Sequence, residues 1–229
     1  MLASLFAGLM AGTLHALSGP DHLAAITPLS ISHHENAGST RSAWGVGLRW
    51  GLGHALGVAS MGGLLLVFQQ ALDLERLAWW SERLVGVVLI GLGVWGLRRA
   101  TSRWIHSHHH EHGGSEHAHI HFHRPGEAAQ STAAHRHSHA ALAVGLLHGF
   151  AGTTHLFGLI PALALPTAFA AAYLGGYGAG NLLAMGGFAW LVGWAGARLS
   201  EWGVSGYRIV LGSTSAGAIA LGTVWLFVR

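Results

Sequence analysis

The chain has 229 residues, 9% of them charged, and a mean hydropathy of +0.43. Soluble domains carry about 25% charged residues, so this composition excludes an ordinary soluble fold and predicts a multi-pass membrane protein. Its net charge of +3 comes from twelve Arg and no Lys, lying mostly between apolar runs, which reads as membrane orientation and not as nucleic-acid binding. The absence of Cys excludes disulfides, thiolate metal sites and a cysteine nucleophile.

A membrane span needs about 20 mostly apolar residues, and six such runs fit the chain. They are Leu2 to Ile26, Ala43 to Phe68, Leu77 to Leu97, Ala140 to Leu163, Ala168 to Ala197 and Tyr207 to Val228. The N-terminus lacks the basic region of a secretory signal and reads as a retained first span. That span holds LHALSGPDHLAAITP, Leu14 to Pro28, with His15 and His22 seven positions apart. On a straight helix two such residues are about 10 Å apart along the axis, too far to close on one ion. Pro20 after Gly19 predicts a break that lets them converge. Asp21 is the one carboxylate inside a predicted span core, and a buried carboxylate is costly without a cation; capping of the half-helix that starts near Pro20 is its other role. His33, His34 and Glu35 follow this span on the cytoplasmic side as solvated loop residues, with a relay of ions between cavity and loop as the alternative.

The second span carries His54 in LRWGLGHALGV, with Gly47, Gly51, Gly53 and Gly57 suited to close helix packing. Arg49 lies about 9 Å inside it and is expected to snorkel to the near interface, with pairing to Asp21 as the alternative. The third span is the weakest of the six, since its uninterrupted core is only Leu84 to Leu97. Residues 101–139 form the one long polar insertion, with twelve of the nineteen histidines, and predict a disordered metal-binding loop. The fourth span repeats the first motif as LHGFAGTTHLFGLIP, Leu147 to Pro161, keeping His148 and His155 and placing Thr153 and Thr154 where Pro20 and Asp21 stand. In the fifth span Gly180-Asn181 corresponds to Gly53-His54, and in the sixth Leu221-Gly222 resembles Leu92-Gly93.

Residues 1–100 and 140–229 are therefore expected to be two three-helix repeats with broken first helices, flanking the His-rich segment 101–139. Motif copies three spans apart cross the membrane in opposite senses, which makes the repeats inverted. The excess of Arg after spans one, three and five puts the His-rich loop in the cytoplasm and both termini outside. Ionisable residues within spans mark binding sites or substrate paths. The expected metal ligands are His15, Asp21, His22, His54, His148 and His155. No HExxH pattern or nucleotide-binding loop is present, so neither a metalloprotease nor an ATPase is expected, and no catalytic residue or resident cofactor is assigned.

The run HALSGPDHLAAI, together with LGHALGV, resembles the signature of the nickel/cobalt permease superfamily. The SGPDHL and LHGFAGTTHL forms are most similar to its short six-span branch of urease-accessory nickel permeases. The resemblance implies that His15, Asp21, His22 and His54 recognise the ion, and that nickel or cobalt is a transported substrate, taken up into a bacterium across its plasma membrane. It also implies cytoplasmic metallochaperones or metalloenzyme maturation proteins as partners. Efflux, an intramembrane metalloenzyme and a metal sensor are the alternatives.

Overall fold

The structure, a computed structural model, describes residues 1–37, 40–68, 73–102, 105–112, 115–122, 133–151, 158–200 and 203–227. Its elements are α1 (Leu2–Ser18), α2 (Pro20–Ala37), α3 (Thr40–Phe68), α4 (Leu74–Ala100), β1 (Ile105–His112), β2 (Ser115–Phe122), α5 (Ala133–Ala151), α6 (Ile160–Leu163), α7 (Thr167–Ser200) and α8 (Gly203–Phe227). Outside one short hairpin, the described elements are all helices.

The expected break in the first span is present. Gly19 takes an extended backbone, φ −80° and ψ 102°, which ends α1. Pro20 then opens α2, where a missing N–H costs nothing and a fixed φ suits the first helical position. The Leu23 amide closes the new turn on the Gly19 carbonyl at 3.2 Å, and the axis bends by 73° between the two pieces. The second piece does not stop at Ile26. α2 runs on to Ala37 and takes in His33, His34 and Glu35, which the sequence reading had placed in a loop.

Two helices, Glu75–Ala100 and Gly203–Phe227, are each long and apolar enough to cross a membrane, and the bent pair α1 and α2 makes a third span if counted as one. Among the described residues that is fewer than the six expected. The helices α3 and α7 have ample length for a span, 29 and 34 residues. The third span, expected to be the weakest, is one of the two strongest, because its helix begins at Leu74 on an Asp73 side-chain cap and extends to Ala100.

Close glycine contacts organise the helices. A Cβ at Gly12 would run into the Tyr177 carbonyl, and one at Gly180 into the Leu9 carbonyl, so α1 and α7 run parallel with backbones touching. The same pair of contacts joins α3 and α5: Gly145 against the Trp50 carbonyl, and Gly53 against the Leu142 carbonyl. Gly12 and Gly145 each stand two residues before a motif copy, and Leu9 and Leu142 each five before, so they are equivalent in the two repeats. Trp50 and Tyr177 each stand three residues before the related Gly53 and Gly180. Helices α3 and α7 pack antiparallel, Gly47 on Met185 and Gly51 on Leu182. Helices α4 and α8 are also antiparallel, with Gly86 on Gly222 and Gly93 on Ser215.

The burial pattern is inverted relative to a soluble protein. Leu2, Phe6, Val87, Leu163, Ile209 and Phe227 are exposed, while Asp21, His22, His54, His148, Asn181 and Ser215 are buried. Apolar exteriors around polar interiors suit helices solvated by lipid.

The histidine-rich insertion departs from the expected disorder. β1 and β2 pair antiparallel over eight residues each, with Ile105 opposite Phe122 and His112 opposite Ser115. Histidine stands at every second position from 106 to 112 in β1 and from 117 to 121 in β2, a period of two that suits a strand, although His109 interrupts the alternation in β1.

Candidate metal centre

Five of the six expected ligands come together in the helix interior. From the first repeat, α1 supplies His15, α2 supplies Asp21 and His22 just after the break, and α3 supplies His54. His148 arrives from α5, held against α3 by the close approach of Gly149 to the His54 carbonyl. The sixth ligand, His155, lies outside the described residues, as do Thr153 and Thr154.

His22 is the centre of the cluster. Its ring centroid is 5.0 Å from that of His15, 4.8 Å from His54 and 5.1 Å from His148. Donor atoms of His15, His22 and His54 all lie within 4.8 Å of one another, and so do those of Asp21, His22 and His148. Ligands on a tetrahedral ion with bonds near 2.0–2.1 Å are about 3.3 Å apart. The donor atoms of either triad are thus at most about 1.5 Å farther apart than ligands on one such ion.

Two contacts already hold the donors in ligand form. His22 Nδ1 is 3.4 Å from the Ala16 carbonyl in the last turn of α1. A carbonyl oxygen can only accept, so the proton sits on Nδ1 and Nε2 carries the lone pair that a metal would use. His148 Nε2 is 3.1 Å from Asp21 Oδ2, close to the spacing of neighbouring ligands on one ion. An ion held there takes the place of the shared proton and releases it.

The break itself shapes the site. A Cβ at Gly19 would stand 2.5 Å from His22 Nδ1, so only Gly lets the ring fold back over the end of α1. Gly19→Ala should push the His22 ring away and weaken zinc binding by about tenfold or more while the helices still insert. Isothermal titration of the purified variant against wild type checks this; equal affinities would mean that the break does not position His22.

Arg49 is exposed, and its guanidinium lies by Gly45, one turn nearer the start of α3, in the snorkelled arrangement. Asp21 is met instead by His148. Two aromatic residues escaped the sequence reading. Trp50 stacks on His54 at 5.1 Å and 5°, and it also faces His22 and His148, each at 5.5 Å. Tyr177 stands 5.7 Å from His15. The signal was present, since Trp50 is four residues before His54 and Tyr177 four before Asn181, one helical turn in each case.

No family model and no solved structure matches the chain. Two curated plant proteins do. The chain is 34% identical over 201 residues to Chloroplast protein FOR GROWTH AND FERTILITY 1 of Arabidopsis thaliana, covering 87% of itself and 52% of that protein. With Chloroplast protein FOR GROWTH AND FERTILITY 2 of the same plant, identity is 33% over 204 residues, 88% and 50% of the two chains. The chain spans about half the length of the curated relatives it matches. Their names describe chloroplast proteins of growth and fertility, not metal permeases, so the expectation of a nickel or cobalt permease, for uptake or efflux, is overturned. The expected bacterial plasma membrane likewise finds no support in chloroplast relatives.

Proposed function

We propose that the chain is a polytopic membrane protein that holds one divalent transition-metal ion between its helices, on His22 and ligands drawn from His15, Asp21, His54 and His148. The observation that carries this reading is the convergence on His22 of two donor triads from the broken pair α1–α2 and two further helices, α3 and α5, in the molecule's interior. Neutral imidazoles and a single carboxylate suit a borderline divalent ion such as zinc and leave only one negative charge to be neutralised. The aligned regions span most of this chain, so the buried centre is what we propose it shares with the two chloroplast proteins. Binding of the ion, without catalysis, is the activity assigned.

The finer architecture belongs to the same proposal. α1 is parallel to α7, α7 antiparallel to α3, and α3 parallel to α5, so α1 and α5 run in opposite senses. That supports two inverted repeats, residues 1–100 and 140–229, each bringing a motif histidine to the centre.

A second reading rests on the Asp21 to His148 contact, which could instead carry a proton without metal. Equilibrium dialysis separates the two. The protein in lipid nanodiscs, with the histidines of 101–139 replaced by Ser, should retain about one zinc ion per chain at pH 7.5. A chain that takes up no divalent ion would leave only the proton-carrying pair.

A further inference from the structure

Helix α7 carries two buried polar side chains that none of the ligands above engages. Tyr177 and Asn181 are one turn apart, 8% and 2% exposed. Among the described residues, neither the Tyr177 hydroxyl nor the Asn181 side-chain oxygen has a hydrogen-bond partner. The Gly158 carbonyl, close to Tyr177, already accepts from the Tyr173 hydroxyl at 2.9 Å. A buried polar group left unpaired is costly, so two of them on adjacent turns call for a ligand.

The close glycine contacts fix where this pair stands. Gly8 meets the Tyr173 carbonyl and Gly12 the Tyr177 carbonyl, so four residues further on Asn181 is level with Ala16 in the last turn of α1. In the other close pair, Gly145 meets the Trp50 carbonyl and Gly149 the His54 carbonyl. Tyr177 and Asn181 therefore stand to α1 as Trp50 and His54 stand to α5. The ring separations agree, with 5.7 Å from His15 to Tyr177 and 5.5 Å from His148 to Trp50. His54 lies 5.9 Å from His148, and the same relation sets Asn181 beside His15.

His15, His22 and His54 offer three nitrogens, which leaves one position of a tetrahedral ion to be filled. Helix α7 packs against α1, α2 and α3, the three helices that carry those nitrogens. We infer that the fourth position is taken by a water molecule held from α7 by Tyr177 and Asn181. A metal-bound water donates both of its hydrogens, and the tyrosine and amide oxygens accept them without adding charge. The inference rests on the metal reading of the buried centre. It makes Tyr177 and Asn181 positioning residues that act on the ion through the water.

Copper(II) is the probe, because it occupies nitrogen and oxygen sites more tightly than zinc and carries an electron spin. The chain in nanodiscs, with the histidines of 101–139 replaced by Ser, is loaded with copper(II) and exchanged into D2O. Pulsed EPR then reads the imidazole nitrogens and the deuterons of a bound water separately, and the wild-type centre should show both. Tyr177→Phe with Asn181→Leu should lose most of the deuteron signal, keep the nitrogen signal and weaken zinc binding about tenfold. Without metal, that double variant should melt at or above wild type, because two buried polar groups are gone. Tyr177→Phe alone, which keeps the ring, should weaken zinc binding severalfold. Nitrogens without deuterons in the wild type, or deuterons unchanged in the double variant, would overturn the water ligand and leave the centre standing. Loss of both signals in the wild type would overturn the centre and the water with it.

Discussion

Replacing His22 with Gln should reduce zinc affinity of the buried centre by about 100-fold or more, equivalent to about 2.7 kcal/mol, with little loss of folded protein. His22 belongs to both donor triads, so its loss leaves neither complete, whereas loss of His15 or His54 leaves the triad of Asp21, His22 and His148. Asp21→Asn should also weaken binding strongly, because it removes the only carboxylate among the donors. Asn is about as good as Asp at a helix N-terminus, so a purely capping role predicts almost no change. Titration calorimetry in nanodiscs, at equal amounts of inserted protein, measures both. His22→Gln with wild-type affinity would remove His22 from the metal centre.

The second large effect concerns the glycine contacts that bring the helices close enough for the cluster to form. Gly12→Ala and Gly145→Ala should each cost about 1–3 kcal/mol, since the added methyl meets a backbone carbonyl that cannot swing aside. Gly145 matters for the site as well as for stability, because it holds α5, with His148, against α3 at Trp50. Gly175→Ala is the matched control: nothing lies within 4 Å of its added methyl, and Ala is the better helix former by about 1 kcal/mol. Thermal unfolding in detergent should place the first two well below wild type and the third at or above it. Equal melting temperatures across the three would mean that the close helix pairs do not hold the fold.

The site was more legible in the sequence than the span boundaries were. His15 and His22 are seven residues apart in an apolar run, and Gly19-Pro20 between them has only one cheap conformation, a break. The 73° bend and the 5.0 Å ring separation follow from that local chemistry. The Asp21 to His148 contact was not legible, because it joins residues 127 positions apart and depends on glycine packing that no local pattern reports. Hydropathy failed where composition was mixed. It ranked Leu77 to Leu97 last among the spans, because the charged and aromatic turns before Leu84 looked like an interruption, yet they are the capped start of α4. In the insertion, abundance of histidine hid its spacing. Alternate positions at 106, 108, 110 and 112, facing 121, 119, 117 and 115, are a strand pattern that a compositional reading cannot see.

X-ray absorption at the zinc edge of the nanodisc protein, with the histidines of 101–139 replaced by Ser, tests the buried centre most directly. The proposed centre predicts a first shell of about four nitrogen and oxygen ligands near 2.0–2.1 Å, with outer-shell scattering from at least two imidazoles, and loss of that scattering in His22→Gln. A shell of water oxygens without imidazole scattering, unchanged by His22→Gln, would contradict it.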